Sequence, residues 1–140
     1  MDMLQLLNEL QDAVLKEDFY KANEVIEKIK REENAFEYVE PILELMEENP
    51  DLDFGIPGPT VHFVELYYKN GYEDLLLKSV KRQPTSQTVW MINRILNDCK
   101  LIEREKYLSI FEEILQKDEV SANIKEETKK FLEYQRKKNK

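Results

Sequence analysis

The 140-residue chain reads as an all-α protein of about eight short helices joined by loops of a few residues. Three observations carry that reading. Apolar residues recur at spacings of three and four along nearly the whole chain, the period of a helix with one buried face. No segment alternates apolar and polar residues for long enough to make a strand. Chain-breaking residues are scarce and concentrated: two of the three glycines and three of the five prolines fall within "NPDLDFGIPGPTVHFVELYY", residues 49 to 68.

Taken in order, Leu4, Leu7 and Val14 with Leu6, Leu10 and Leu15 predict a first helix from about Asp2 to Lys16. Phe19, Ala22, Val25, Ile26 and Ile29 predict a second, with Asp18 as its N-cap. Asn34 stands three residues before Glu37, the spacing of a capping box, and opens a third helix through "FEYVEPILELMEE". Pro41 lies inside that pattern and deletes a backbone hydrogen bond, which predicts a kink or two shorter helices. "TVHFVELYYKNG" is a fourth helix, capped by Thr60 and closed at Asn70-Gly71. "YEDLLLKSVKR" is a fifth and, after Pro84, "TSQTVWMINRILND" a sixth. "LIEREKYLSIFEEILQKD" and "SANIKEETKKFLEYQRKK" complete the set. Such helices form stacked antiparallel hairpins in a single domain, residues 1–140, and a HEAT-like array is one form this takes. Helix starts near 72, 86 and 102 are 14 and 16 residues apart, but no motif repeats at a fixed period.

Composition narrows the function classes. A single cysteine, Cys99, excludes an intramolecular disulfide and a cysteine-based metal cluster. Acids at Asp2, Glu9 and Asp12 interrupt the apolar pattern of the N-terminus, which a secretory signal would not tolerate, and no run approaches the ~20 apolar residues that span a bilayer. The expected compartment is the cytoplasm. The net charge of -8 is unevenly placed: residues 1 to 48 hold 14 acids and 5 bases, residues 49 to 60 add -2, residues 61 to 100 give +2 and residues 101 to 140 give +1. Phosphate binding needs a basic stripe, and only the tail "QRKKNK" offers a run of bases, so nucleic acid is not the expected partner. A negative surface steers a basic protein instead, and Glu32, Glu33, Glu47 and Glu48 are the candidate contacts. Ordinary solvated helix faces give the same composition.

The stretch at 49–60 is too proline-rich to be a flexible linker and predicts an ordered loop clamped to the fourth and sixth helices. On a helical wheel from Val61, His62, Glu65 and Lys69 share one side, and Phe63, Val64, Tyr67 and Tyr68 the other. The polar edge begins beside Asp51 and Asp53, which makes these two acids, His62 and Glu65 candidate contact residues. A structural role is the simpler one for His62, its imidazole bonding to loop carbonyls or to Asp53. On the sixth helix Val89, Met91, Ile92, Ile95 and Leu96 form a wide apolar arc, while Trp90, Asn93, Arg94 and Asn97 point away from it. These four are either a recognition surface, tryptophan and arginine being the types most often found at binding hot spots, or a second set of internal contacts.

An enzyme is not expected. His62, Glu65, Asp51 and Asp53 include one nitrogen ligand, where a zinc site needs two or three nitrogen or sulfur ligands. There is no H-E-x-x-H, nucleophile elbow or phosphate-cradling glycine loop, and no cofactor is implied. Cys99, beside Asp98 at a helix end, is a packed or surface thiol.

Residues 53 to 98 carry the pattern PGP-x-VHF-x-E followed by PT-x-x-TVW-x-x-NRI. In this the chain resembles the small all-helical immunity proteins encoded beside bacterial polymorphic or contact-dependent toxins. The stretch covers about a third of the chain, and the matching positions are Pro57, Gly58, Pro59, His62, Glu65, Trp90, Asn93 and Arg94. The resemblance implies a cytoplasmic protein that binds one cognate toxin domain and protects the cell making it. A non-enzymatic helical adaptor for a cellular complex is the competing expectation. A secreted protein with a variable C-terminal domain encoded immediately upstream separates the two.

Overall fold

A computed structural model describes residues 2–55 and 57–138. Among these residues the regular structure is helical throughout, and the all-α class expected from the sequence is the class observed. The elements are α1 (Met3–Leu15), α2 (Phe19–Lys30), a 3-10 turn (Ala35–Tyr38), α3 (Val39–Glu48), α4 (Pro59–Glu65), α5 (Tyr72–Arg82), α6 (Ser86–Leu96), α7 (Arg104–Gln116) and α8 (Ala122–Lys138). The chain divides into two compact units, one ending at Leu76 and one beginning at Leu77, so the boundary falls within α5.

The first unit begins with an α1–α2 hairpin. Asp2 caps α1 by accepting from the Gln5 N–H at 2.8 Å, and Asp18 caps α2 by accepting from Lys21 N–H at 3.0 Å, as its position predicts. Between them the chain reverses through Glu17 at φ 53, where the Glu17 N–H reaches Val14 O and the Asp18 N–H reaches Ala13 O. This is a Schellman closure with glutamate in the left-handed position that glycine usually fills. Leu6, Leu10, Ala13 and Val14 of α1 are buried, as are Ala22, Val25, Ile26 and Ile29 of α2. α2 also packs on α4, and α3 packs on both α1 and α4.

Two expectations for this unit are corrected, at Asn34 and Thr60, and the alternatives left open at Pro41 are resolved. Asn34 makes no side-chain cap, because residues 35–38 form a 3-10 turn in place of the first turn of an α-helix. Pro41 causes no kink, because α3 starts at Val39 and places the proline in its first turn, where the missing N–H has no intrahelical acceptor to lose. The outcome is the two-element alternative, 3-10 turn then α-helix. Thr60 is not the cap of α4: Gly58 holds that position and Pro59 opens the helix, which leaves Thr60 Oγ1 buried without a partner. α4 is also shorter than its pattern, ending at Glu65. Residues 66–70 continue in tight turns, with Lys69 at φ 67 and Gly71 at φ 106, and the Lys69 N–H is taken by Glu73 Oε1 at 2.8 Å. A Cβ on Gly71 would stand 2.8 Å from Phe36 Cζ, so a side chain there would displace that ring from its tilted contact with Tyr67, centroids 5.0 Å apart.

The described part of the loop at 49–60 is built by backbone contact. Leu52 N–H bonds to Asn49 O, Asp53 Oδ1 accepts from the Gly55 N–H at 2.8 Å, and Phe54 is buried. A Cβ on Gly58 would lie 1.9 Å from Phe54 O, and one on Gly55, whose φ is +90, would lie 2.5 Å from Gly58 Cα.

The second unit contains α6, which packs on α7 and α8, and an α7–α8 pair. Thr85 and Thr88 form a reciprocal capping box at the start of α6, and Val89, Met91, Ile92, Ile95 and Leu96 are buried as the apolar arc requires. Tyr107, Leu108, Ile110, Phe111 and Ile114 are the buried stripe of α7, and Phe111 stacks on Phe131 of α8 with ring centroids 6.3 Å apart.

Two substitutions test this account. Gly58→Ala should lower stability by about 1–3 kcal/mol in denaturant melts, since an unyielding carbonyl occupies the methyl position. Glu17→Gly should raise it by about 0.5–1 kcal/mol, because the left-handed conformation is strained for glutamate and not for glycine. Equal midpoints for wild type and Gly58→Ala would show that the loop yields.

Candidate functional site

Acid dominates the chain up to Leu76, with 19 Asp and Glu against 6 Lys and Arg, and the chain from Leu77 onward has 10 against 15. Three cations of α1 and α2 are already engaged on their own helices: Lys16 with Asp12 at 3.1 Å, Lys21 with Glu24 at 3.6 Å and Lys30 with Glu27 at 3.0 Å. Glu32 and Glu33 lie beyond the C-cap of α2, in the turn leading to the 3-10 element, and form no ion pair among the described residues. They line an open groove of about 520 Å³ together with Asp2, Met3, Arg31, Asn34 and Tyr38.

Tyr38 forms the end of the 3-10 turn and is 1% exposed. None of the hydrogen bonds among the described residues involves its hydroxyl. Burial, and then the carboxylates of Glu32, Asp2 and Glu37, push its ionisation above the ordinary tyrosine value. A second groove, of about 460 Å³, runs along α1 and shares Asp2 as a wall, with Leu4, Gln5, Asn8, Glu9 and Asp12. Leu4 is 70% exposed there.

The remaining acidic candidates do not converge on one spot. Glu47 is half-buried and Glu48 exposed at the end of α3. Asp51 and Asp53 are exposed in the loop, where Asp53 is used in holding the Gly55 N–H. Glu65, half-buried, ends α4. The structural role expected for His62 is corrected: its side chain is exposed and has no hydrogen-bond partner among the described residues, and its backbone N–H bonds to Gly58 O as part of the helix. The loop is held by its own backbone, which leaves the imidazole nothing to clamp. Among the described residues no three His, Cys, Asp or Glu side chains gather where they would hold a metal ion.

The polar side of α6 separates into two pairs. Arg94 lies over the half-buried Trp90 ring, 5.0 Å from its centroid. Asn93, half-buried, and Asn97, exposed, both turn an amide oxygen to Gln135 of α8, which is fully buried. Its Nε2 donates to Asn93 Oδ1 at 2.7 Å and to Asn97 Oδ1 at 2.9 Å, while its Oε1 accepts from Arg104 Nη2 at 2.7 Å. Because arginine only donates, the Gln135 amide can point only this way. Arg104 Nη1 also donates to Leu96 O at 2.7 Å, satisfying one of the last carbonyls of α6. The asparagine oxygens thus bind α6 to α8 internally.

Asp2 and Tyr38 belong to the acidic groove and were not among the candidates read from the sequence. Asp2 reads from the sequence only as the start of the first helix and as an acid within its apolar pattern; Tyr38 reads as an ordinary core aromatic. No family model, no curated protein and no solved structure matches the chain. Among the described residues no helix is long and apolar enough to cross a membrane.

Gln135→Leu should destabilise the protein by about 2–3 kcal/mol, because it strands the two asparagines and one edge of Arg104. A loss below ~0.5 kcal/mol would remove the network's structural role. His62→Ala should leave the midpoint within about 0.5 kcal/mol of wild type. For Tyr38 the sign follows from a pKa raised in the folded state: its contribution is whole below about pH 10 and is lost as pH climbs from there through the raised folded value. Tyr38→Phe should therefore flatten the fall of stability above pH 10, and an unchanged slope would contradict the raised ionisation of this phenol.

Proposed function

We propose that this chain is a non-enzymatic, cytoplasmic immunity protein, one that binds a cognate toxin domain of a contact-dependent growth inhibition system and neutralises it. It does so by covering the toxin's active site or by blocking a motion the toxin requires. The observation that carries this reading is the division of charge, a net -13 in the sequence up to Leu76 against +5 from Leu77 onward. A compact unit carrying that excess of carboxylate repels nucleic acid and acidic proteins, and attracts a basic protein surface over several ångströms before contact. The resemblance of residues 53 to 98 to immunity proteins supplies the class of basic partner.

The bases of the second unit do not argue for nucleic acid. They are interleaved with acids, and Lys106, Lys130 and Arg136 are spent on Glu103, Glu126 and Glu112. A phosphate backbone needs a continuous cationic track. Charges placed for steering act chiefly on the rate of association, so the partner's specificity rests on contacts made after encounter.

The decisive experiment is expression with the toxin domain encoded beside this gene. Cells making both should survive, and the purified pair should associate more slowly as salt rises, since charges beyond roughly 8 Å are screened at physiological ionic strength. Replacing Glu32, Glu33, Glu47 and Glu48 together by glutamine should slow association about tenfold in low salt and leave the melting transition in place. Killing that is undiminished by co-expression would overturn the proposal, and a salt-independent association rate would overturn its electrostatic basis.

A further inference from the structure

α1 has a second face that the fold leaves open. Its buried side, Leu6, Leu10, Ala13 and Val14, packs into the first unit. Away from that side Leu4, Asn8, Gln11 and Leu15 recur at spacings of four, three and four, the seam of a helix that meets another helix, and all four are exposed. Leu4 and Leu15 have 70% and 49% of their surface in solvent. A face shaped by solvation alone carries charge, as α2 does at Lys21, Glu24 and Lys30. No charge interrupts the stripe on α1, although the unit around it holds 19 acids and 6 bases.

The stripe borders a groove of about 460 Å³ whose other walls include Asp2, Glu9 and Asp12. Glu9 is half-buried, and its Oε2 is shut off from solvent with no hydrogen-bond partner among the described residues. A carboxylate oxygen in that state opposes folding until a donor reaches it. Charge and shape together define the occupant. The acids along this edge repel an anionic lipid surface, and they repel a second copy of α1, which would bring the same carboxylates against one another. Leu4 and Leu15 lie roughly 16 Å apart along the helix axis, about three turns, a span that one side chain cannot cover and a docked helix can.

We propose that the outer face of α1 seats a basic amphipathic helix of the partner protein, its apolar residues on Leu4 and Leu15 and its lysines or arginines against Asp2 and Glu9. The inference rests on the reading of the chain as a binder of a basic protein, and it names the element that meets that protein. Asn8 and Gln11, between the leucines, supply uncharged donors and acceptors at the centre of the contact, where they fix its register as a polar residue does in a coiled-coil seam. Glu9 brings Oε2 to an incoming N–H by turning its terminal torsion, which has broad wells. Asp2 remains the cap of α1 through Oδ1, which leaves Oδ2 for the same purpose.

The test uses the whole protein and two probes. One is the toxin domain encoded beside the gene; the other is a capped amphipathic peptide of leucine and lysine, about 14 residues long so that it can form the helix. Amide shifts in the 15N-labelled chain on adding the peptide should concentrate at Leu4, Asn8, Gln11 and Leu15. Leu4→Gln combined with Leu15→Gln should weaken binding of both probes about tenfold and leave the melting midpoint in place, because both side chains already face water. Glu9→Gln should lower the affinity and its dependence on salt. Leu66→Gln, at an exposed leucine just beyond α4, should change neither. Shifts centred away from α1, or equal affinity of the double variant and wild type, would overturn the site, as would a dimer in solution that the double variant dissolves. The two proposals fail separately. A toxin domain bound and neutralised equally by wild type and the double variant sinks the α1 site and leaves the immunity reading. A peptide seated on α1 and lost in the double variant, without any protection against the toxin, sinks the immunity reading and leaves the α1 site.

Discussion

The first unit depends on a place where the backbone touches itself. With Phe54 O occupying the position of a side chain on Gly58, and Gly55 crossing close to Gly58, the loop after α3 has one compact path among its described residues. That path buries Phe54 and delivers Gly58 in extended geometry as the cap of α4, with Pro59 already at a helical φ. α4 is only seven residues long, too short to be stable on its own. It persists because Val61, Phe63 and Val64 are buried, and because its packing against α2 and α3 starts at a fixed point. Proline removes alternatives from the unfolded chain while glycine allows the close approach, and the two effects need each other at adjacent positions.

Electrostatics sets the second constraint. A unit with 19 acids and 6 bases folds against its own repulsion, and short-range pairing relieves only part of this. Pairs such as Lys16–Asp12 and Lys30–Glu27 are exposed and contribute a few tenths of a kcal/mol each. They also remove cations from the pool, so the carboxylates beyond the end of α2 are left facing solvent and Arg31 alone. A folding criterion by itself would place a lysine there.

Much of the fold was legible because helix signals are local. The spacing of apolar residues located every helix, Asp18 worked as the cap its position marked, and α5 ran over the residues its pattern marked. The errors came where two local signals competed. Asn34 had the spacing of a capping box, but the chain had to enter α3 through a tighter turn with Pro41 in the first turn of the helix. Thr60 was a good cap by type, but Pro59 can only open a helix, and that moved the cap to Gly58. The pattern of α4 ran on to Tyr68, and the left-handed Lys69 and Gly71 cut it short for reasons that lie in Glu73 and in the ring of Phe36.

The candidate site was less legible, because the fate of a polar side chain is decided by residues far away in sequence. Asn93, Asn97, Trp90 and Arg94 stand on one side of one helix and look alike on a wheel. What distinguishes them is Gln135, 42 and 38 residues beyond the two asparagines, whose buried amide consumes their oxygens. A buried amide is costly unless all its groups are bonded, so once Gln135 is inside, Asn93 and Asn97 are committed to it. Tyr38 differs: its ring is buried, its hydroxyl makes no hydrogen bond within the described residues, and the nearest charges are carboxylates that also lack an ion pair there. The amide of Gln135 is enclosed and satisfied inside the fold, where it holds α6 and α8 together, while the Tyr38 hydroxyl stands at the edge of an open groove lined by Asp2, Glu32 and Glu33.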